Sequence, residues 1–292
     1  MRTPGHSVDL TFLGTRGEIE KKRRRHRRHS ALFVRQVDAR IIDCGADWRG
    51  RIETLSPSAI VLTHGHPNHA AGIADGAPCP VYATVETWQL IAAYPIAQRR
   101  IILHREPVKL NGIIIEAFPV EHSTRAPAVG YRISASRRRV FYVPDVVAIR
   151  DQAEALHGID LYVGDGATIT RPIIRRRNAA RIGHTPIRTQ LDWCRAQAVT
   201  RALFTHCGSQ ILGDERVLGA LVRRLGRERG VEARIAHDGM KLSLTGYRKR
   251  HPSMTVMPCR KNPPRTVQTA TGTAFGAAVA NRSVNSRSAA AL

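Results

Sequence analysis

The sequence is short of long apolar runs, of paired cysteines and of acidic residues. No apolar run reaches the ~20 residues that a membrane-spanning helix needs, so we expect no membrane partner. The opening residues show no apolar segment followed by a cleavage site, so we expect no secretory signal. The five cysteines have no Cys-x-x-Cys spacing, which argues against a disulfide framework and favours the reducing cytoplasm.

Acidic residues are outnumbered by basic ones. The 292 residues include 23 Asp and Glu against 46 Lys and Arg, a formal net charge of +23, and only six of the basic residues are lysines. This charge suits polyanionic partners such as nucleic acid or phosphate esters. An arginine bias also arises from genomic base composition and then merely solvates the surface, so both interpretations stay open on charge alone.

The last part of the chain has no acidic residue at all. Positions 248–292 hold eight Arg and Lys, are rich in Ala, Thr, Ser, Asn and Pro, and show no apolar periodicity. We predict a disordered basic tail there. Residues 1–247 form the predicted domain, which is long enough to bury a core of its own.

Apolar patterns within 1–247 predict strands with helices between them. Apolar positions at helical spacing predict helices over 87–97, 187–198 and 214–229. Such an order favours an α/β layered domain. Alternating or continuous apolar runs predict strands at 8–13, 31–34, 39–42, 59–63, 113–119, 128–133, 140–143, 161–163, 202–205 and 241–244.

Three histidines directly follow the predicted strand at 59–63. His64, His66 and His69 lie within six residues of one another. A strand end that opens into a tight turn can direct several imidazoles to one point, and imidazole suits zinc and neighbouring first-row metals. We therefore expect a metal site here, rather than a polar loop in which histidines occur by chance.

This segment resembles the His-x-His-x-Asp-His signature of the metallo-β-lactamase fold superfamily. Residues 120–122, 141–145 and 203–206 resemble, in the same order, the strand ends that supply its remaining ligands. The likeness covers about residues 7–246. It implies an α/β fold, a four-layer αββα sandwich, and hydrolysis by a metal-bound hydroxide.

The resemblance also implies a ligand for every metal position. One zinc ion would have three imidazole ligands and an open position for water. Asp145 would bridge to a second ion, and the two together would stabilise a phosphoryl displacement. The first ion would be held by His64, His66 and His122, and the second by His69, His206 and Asp145.

Asn68 departs from the signature, which has an aspartate that also orients the nucleophile. A neutral amide cannot accept a proton, and it attracts a dication less than a carboxylate does. Three outcomes stay open: one zinc ion only, a different metal such as manganese at the second site, or loss of most activity. Because every other ligand position is filled, we expect altered metal binding and keep Asn68 among the candidate catalytic residues.

Two further features resemble the phosphodiesterase branch of this superfamily, which includes tRNase Z and the phosphoribosyl cyclic phosphodiesterases. Residues 12–17 resemble its opening motif. Gly183-His184 precedes a predicted helix, where this branch has a histidine that contacts the scissile phosphate and protonates the leaving oxygen. The alternative is that His184 merely caps the helix. The interval 69–122 has no Gly-Pro-rich insertion for a tRNA-binding arm, which favours a compact phosphodiesterase.

Several other polar groups carry weaker expectations. Asp43 and Asp165 are candidates to orient ligand histidines. His26 and His29 lie in a charged run and are expected in solvent. Basic runs lie at 21–28, 137–139 and 175–177, and such a run is more often a solvated loop. The alternative for 21–28 is that it approaches the metal cleft, as the resemblance implies, and tracks phosphates. No aromatic residue interleaves with its arginines, so nucleic-acid contact would be made through the backbone.

These observations predict a cytoplasmic, metal-dependent phosphodiesterase that acts on a nucleic acid or a nucleotide-like phosphodiester. Two alternatives stay open. One is a thioester or lactone hydrolase on the same fold. The other is an attenuated or non-catalytic nucleic-acid-binding protein that keeps one structural metal.

Overall fold

The structure, a computed structural model, describes residues 7–245, so the predicted basic tail at 248–292 lies outside the described residues. Three short 3-10 helices occupy Ala46–Trp48, Ile52–Leu55 and Ala71–Ile73. The α-helices are α1 (Pro67–Ala70), α2 (Val85–Leu90), α3 (Gln152–Leu156), α4 (Ile187–Ala196), α5 (Ser209–Gly213) and α6 (Glu215–Arg227). The strands are β1 (Val8–Gly14), β2 (Ala31–Arg35), β3 (Ala39–Ile42), β4 (Ala59–Val61), β5 (Val81–Ala83), β6 (Arg99–Ile101), β7 (Val108–Leu110), β8 (Ile113–Glu121), β9 (Ala128–Ala135), β10 (Arg138–Tyr142), β11 (Ala148–Ile149), β12 (Leu161–Asp165), β13 (Ile173–Arg177), β14 (Ala180–His184), β15 (Arg201–Thr205), β16 (Glu232–Ile235) and β17 (Lys241–Leu244).

The strands form two large sheets and one separate hairpin. The first sheet has the order β17-β1-β2-β3-β4-β5-β6, and the second has the order β11-β8-β9-β10-β12-β15-β16, with β7 added on β8. Each sheet is antiparallel in one half and parallel in the other, since β3 to β6 and β10, β12, β15 and β16 pair in parallel. Strands β13 and β14 pair only with each other.

Three apolar clusters separate four layers. One cluster fills the space between the sheets, where Phe12 and Tyr131 are fully buried. A second packs the outer face of the first sheet against α2 and the short helices through Trp88. A third packs the outer face of the second sheet against α4 and α6 through Leu191 and Val222. The predicted four-layer αββα sandwich is therefore confirmed.

Two of the three predicted helices are confirmed, and the third is much shorter than predicted. Helices α4 and α6 lie where the apolar spacing placed them, and Asp214 caps α6 by accepting a hydrogen bond from the backbone N–H of Val217. The prediction of a helix over 87–97 was wrong, because α2 ends at Leu90. Pro95 has no N–H for a helical hydrogen bond and disfavours helical backbone at Tyr94.

Two further observations concern the cysteines and the helices. Cys44, Cys79, Cys194 and Cys207 are all buried free thiols. Across residues 7–245, none of the helices combines the length and apolar character that a bilayer crossing requires.

Candidate metal centre

The candidate ligands lie at one edge of the sandwich because the strands that carry them end there. Strands β4, β10, β12 and β15 run in the parallel halves of the two sheets, and β8 has the same direction as β10 because both are antiparallel to β9. In open α/β sheets, side chains that follow the carboxyl ends of parallel strands meet in a crevice. The side chains that follow these ends are those of His64, His66 and His69 after β4, His122 after β8, Asp145 after β10, Asp165 at the end of β12, and His206 after β15.

One half of the cluster consists of imidazoles alone. His64, His66 and His122 direct one ring nitrogen each to a common region, with all three atoms within 4.8 Å of one another. The Nδ1 atom of His66 lies 3.0 Å from Nε2 of His64 and 3.4 Å from Nε2 of His122. The predicted ligands of the first ion are thus close together.

The other half is organised around a buried carboxylate. Oδ2 of Asp145 lies 2.9 Å from Nε2 of His69 and 3.3 Å from Nε2 of His64, and its Oδ1 lies 2.9 Å from Nδ1 of His206. Asp145 belongs to two groups of converging ligand atoms, one with His64 and His69 and one with His206, Asp165 and His184. It therefore contacts both halves, as a bridging residue would.

Outward hydrogen bonds leave three imidazoles with a free inward nitrogen. Nδ1 of His69 donates to Oδ2 of Asp43 at 2.9 Å, and Nδ1 of His122 donates to the carbonyl of Gly183 at 3.1 Å. The hydroxyl of Thr63 donates to Asp43, so it accepts from Nδ1 of His64 at 3.0 Å. In the neutral imidazole each Nε2 then carries a lone pair, which is the arrangement that oriented metal-binding histidines show; His69 reaches it once its second proton has left.

Several buried polar atoms at the centre have no hydrogen bond among the described residues. They are Nε2 of His69, Nδ1 of His206, Oδ1 of Asp145 and Oδ1 of Asn68. Asp145 lies 2.9 Å from both of these ring nitrogens, yet none of the described residues gives the three atoms an aligned hydrogen bond. Because unpaired buried polar atoms are costly, and because carboxylate and imidazole are ligands of divalent first-row metals, this donor set fits a divalent cation.

The histidines of the two halves differ in pKa in the metal-free protein. Burial lowers the pKa of His64 and of His122, and it lowers the pKa of His66 to about 4. Burial also opposes the charge on His69, but the carboxylates of Asp145 and Asp43 outweigh it and raise its pKa to about 10. The imidazole-only half is thus neutral at pH 7, whereas the carboxylate half holds a proton.

The carboxylate Asp145 is kept ionised by its neighbours. Burial alone would raise its pKa, but the charges of His206 and His69 hold it well below its usual range. A buried anion is stable here only because cationic or metal partners surround it.

Asn68 lies inside the centre, although it breaks the expected pattern. Its side chain is buried, and its Nδ2 donates to Nε2 of His206 at 3.1 Å. The amide of Asn68 therefore occupies one ring nitrogen of His206, a predicted ligand. The Oδ1 atom of Asn68 has no hydrogen-bond partner among the described residues. The charge of the expected aspartate is replaced by a hydrogen bond to His206.

His184 lies beside the cluster with its ring held by a buried acid. Its Nδ1 lies 2.7 Å from Oδ2 of Asp165, and burial is outweighed by that carboxylate, which raises the pKa of His184 to about 9. Gly183 enables this placement, because its φ is +126° and a Cβ would lie 1.9 Å from the carbonyl oxygen of Ile173. The residues singled out in the sequence, Asp43 and Asp165, both contact histidines of the site.

A cleft of about 700 Å³ opens onto the centre. His66, His122, Asp145 and His206 lie at its base, together with Asn68 and His184, and Arg125 and Arg175 are among its other lining residues. Gly17 approaches the base closely, since a Cβ there would lie 3.2 Å from the ring of His206. The cleft has the size and polarity of a small-molecule or oligomer binding site.

Sequence reasoning missed the hairpin that forms one wall of this cleft. Strands β13 and β14 lie between predicted elements, and the sequence indicated only the arginines of β13 and the Gly183-His184 motif at the end of β14. A detectable signal was present: Asn178, whose φ is +54°, begins a two-residue turn between segments that each contain isoleucine.

The expectations for the segment around the basic run 21–28 were wrong in two respects. The metal cleft is lined by residues 17–19, which precede the run, whereas Arg25 lines a different cleft beside α6. His26 was expected in solvent and is instead fully buried, with Nδ1 2.7 Å from Oγ1 of Thr15, and His29 is largely covered. The reason is that Asp238 accepts hydrogen bonds from backbone N–H groups of this loop and folds it onto the domain.

A family model described as the beta-lactamase superfamily domain matches residues 40–207, which is more than half of the chain. The matched span begins in β3 and ends just beyond His206, so it contains all the candidate ligands. The chain belongs to the beta-lactamase superfamily. No curated protein sequence matches it significantly.

Solved structures share the fold of this superfamily member at low identity. A diphosphatase of the PhnP family is 20% identical with a TM-score of 0.61, covering 82% of this chain and 97% of its own. Human tRNase Z, short form, is 18% identical with a TM-score of 0.54, covering 80% and 98%. An isothiocyanate hydrolase from Delia radicum gut bacteria is 14% identical with a TM-score of 0.58, covering 82% and 100%.

Proposed function

We propose that this protein is a metal-dependent phosphodiesterase that acts on a nucleic acid or a nucleotide-like phosphodiester. The coarse part of this statement, a metallo-hydrolase fold with a candidate metal centre, follows from the family and the ligand cluster. The choice of a phosphodiester is supported by one observation above all, the Asp165–His184 pair at the wall of the cleft.

The proposed metal ligands are His64, His66 and His122 on one side and His69, His206 and the shared Asp145 on the other. The imidazole ligands suit zinc, and the group around Asp145, which includes a carboxylate, also suits manganese. When bound, a divalent metal activates water at neutral pH and offsets the charge that develops on a phosphoryl group. Asp43 positions His69 directly and His64 through Thr63.

His184 supplies what a phosphodiester needs and a thioester does not. Loss of an alkoxide from phosphorus requires a proton on the leaving oxygen, whereas a thiolate leaves readily without one. Because Nδ1 of His184 is bound to Asp165, its Nε2 is the nitrogen left for the cleft. As water adds to phosphorus and the P–O ester bond breaks, Nε2 gives its proton to the leaving oxygen, which yields a phosphomonoester and an alcohol. The proton that the attacking water loses then restores the one on His184.

A second observation supports an anionic substrate. Two arginines, Arg125 and Arg175, line the cleft that leads to the centre. Two proteins that share this fold are named for phosphate-containing substrates, a diphosphatase and tRNase Z, and a third is named for isothiocyanate hydrolysis. The fold alone is thus compatible with either chemistry, and the experiment must separate them.

The test varies the leaving group. For the metal-loaded protein, His184→Gln should lower the hydrolysis of a dinucleotide by 10²–10⁴-fold. It should have far less effect on bis(p-nitrophenyl) phosphate, whose leaving group needs no proton. Asp165→Asn should also lower the rate for the dinucleotide more than the rate for bis(p-nitrophenyl) phosphate, but by a smaller factor than His184→Gln does. His157→Gln, an exposed histidine, is the matched control.

Three outcomes would contradict the proposal. If the metal-loaded wild type hydrolyses neither diester but cleaves a thioester, a lactone or an isothiocyanate, the bond assignment is wrong. If it hydrolyses nothing but binds nucleic acid, the protein is the non-catalytic alternative. If His184→Gln lowers both diester rates equally, His184 serves only the structure.

A further inference from the structure

The hairpin β13–β14 carries chemistry that the proposed reaction does not use. All five residues of β13 are exposed, including Ile173 at 55% and Ile174 at 38% of their surface. Among residues 7–245, no acidic side chain pairs with Arg175, Arg176 or Arg177. Exposed isoleucines beside unpaired arginines, at the mouth of a functional cleft, indicate a surface that a ligand covers.

The base of the hairpin is fixed to the metal centre. The backbone N–H of Gly183 donates to the carbonyl of His122 at 2.9 Å, and Nδ1 of His122 donates back to the carbonyl of Gly183. Arg181 pairs with Glu121 at 2.6 Å, and the N–H of Thr185 donates to the carbonyl of Val146 at 2.8 Å. The hairpin therefore stands at a set position relative to the candidate ligands.

Strand register divides the hairpin into two faces. Ile173 lies opposite His184, Arg175 opposite Ile182, and Arg177 opposite Ala180. Cross-strand partners share a face, so Arg175 and Arg177 are on the same face as His184. Arg176 and Ile174 are on the other face.

The spacing on the His184 face matches a repeating polyanion. Two residues along a strand span about 7 Å, so Arg175 lies one such step and Arg177 two steps from the level of His184. An extended nucleic-acid strand covers a comparable step with each nucleotide. A phosphate at His184 would then have its next two neighbours at Arg175 and Arg177.

Resting on the proposed function, we infer that the hairpin β13–β14 is a subsite for single-stranded nucleic acid. Arg175 and Arg177 bind the first and the second phosphate on one side of the scissile one, and Ile173 packs against a sugar or an unstacked base. A single strand fits because its unstacked bases are open to apolar contact, whereas a duplex stacks its bases on one another. The substrate is accordingly an oligomer rather than a mononucleotide.

The first experiment is a binding measurement that does not depend on activity. Binding of a labelled single-stranded oligonucleotide to the full-length, chelator-treated protein is followed by fluorescence anisotropy at several salt concentrations. The double variant Arg175→Gln/Arg177→Gln should reduce the slope of log affinity against log salt by about 1.4, since each phosphate contact contributes about 0.7 for single strands. Arg176→Gln, which removes one positive charge from the opposite face, should leave the slope unchanged, whereas a face-independent effect of charge would lower it by about 0.7.

The second experiment measures specificity. In the metal-loaded protein, the double variant should lower the ratio of kcat/KM for the oligonucleotide to kcat/KM for bis(p-nitrophenyl) phosphate by about tenfold or more, mainly through KM. Arg176→Gln should preserve that ratio. Equal salt slopes for the double variant and Arg176→Gln would overturn the inference, even if the wild type is a phosphodiesterase. A wild type that hydrolyses neither substrate would instead contradict the proposed function, and the binding slopes would still decide the role of the hairpin.

Discussion

The two halves of the candidate metal centre differ in charge and in their demand for protons. His64, His66 and His122 form a neutral half, in which burial lowers each pKa and no proton has to leave before a cation binds at pH 7. The half around Asp145 attracts a cation more strongly but holds a proton on His69, whose pKa is raised to about 10.

This difference in protonation predicts which half binds its metal ion more tightly. In the carboxylate half, a metal must displace a proton from His69, and Asn68 supplies no charge to help it. We therefore expect the neutral half to bind the tighter ion and the carboxylate half the weaker, more pH-dependent one.

The largest effect is expected where the two halves meet. Asp145→Ala removes the carboxylate that contacts His64, His69 and His206, so both halves should lose affinity. We expect kcat/KM for bis(p-nitrophenyl) phosphate to fall on the order of 10³-fold, because metal stabilisation is worth several kcal/mol. Metal content by mass spectrometry should fall in parallel, and Asp192→Asn, an exposed acid, is the control. Full metal content in Asp145→Ala would argue against a shared carboxylate.

A smaller effect is expected when each half is damaged alone. His66→Ala should lose the tight ion and more than 10²-fold of the activity, since even outer partners of a ligand contribute 10–100-fold. His206→Ala should keep the tight ion and lose only the weak one. Zinc titration against a competing chelator measures both affinities. If the two variants lose the same ion, the division into halves is incorrect.

The next smaller effect tests Asn68. Asn68→Asp adds a carboxylate where Oδ1 of Asn68 now has no partner, beside His206. The added charge should tighten the weak site on the order of tenfold and leave the tight site as it is. The same titration detects this change, with Asn68→Ala as a neutral control. A strong gain in activity would show that the natural site is attenuated, whereas no change in affinity would place Asn68 outside the ligand set.

The candidate ligands could be predicted from the sequence because they follow local apolar strands in a fixed order. His64, His66 and His69 come directly after a buried run, and tight spacing of that kind survives errors in element boundaries. The burial of His26 could not be predicted, because it depends on Asp238, which is more than 200 residues away. The hairpin was missed because β13 and β14 contribute no apolar stripe to the core and their strand character comes only from pairing with each other.

The smallest expected effect is a pH dependence with opposite limbs in the two halves. The folded-state pKa of His66 lies near 4, below its unfolded value of about 6.5, so its contribution to stability is complete above pH 6.5 and is lost as the pH falls toward 4. The pKa of His69 is raised to about 10, so its contribution is complete below pH 6.5 and is lost as the pH rises toward 10.

Metal-free protein should therefore be most stable near pH 6.5, with a thermal midpoint that falls by roughly a few degrees on either side. Thermal melts in chelator across pH 4–10 measure this. His66→Gln should flatten the acid limb and leave the alkaline limb, and His69→Gln should do the reverse. If both variants flatten the same limb, the two halves do not differ in their demand for protons, and the order of metal binding inferred from that difference loses its basis.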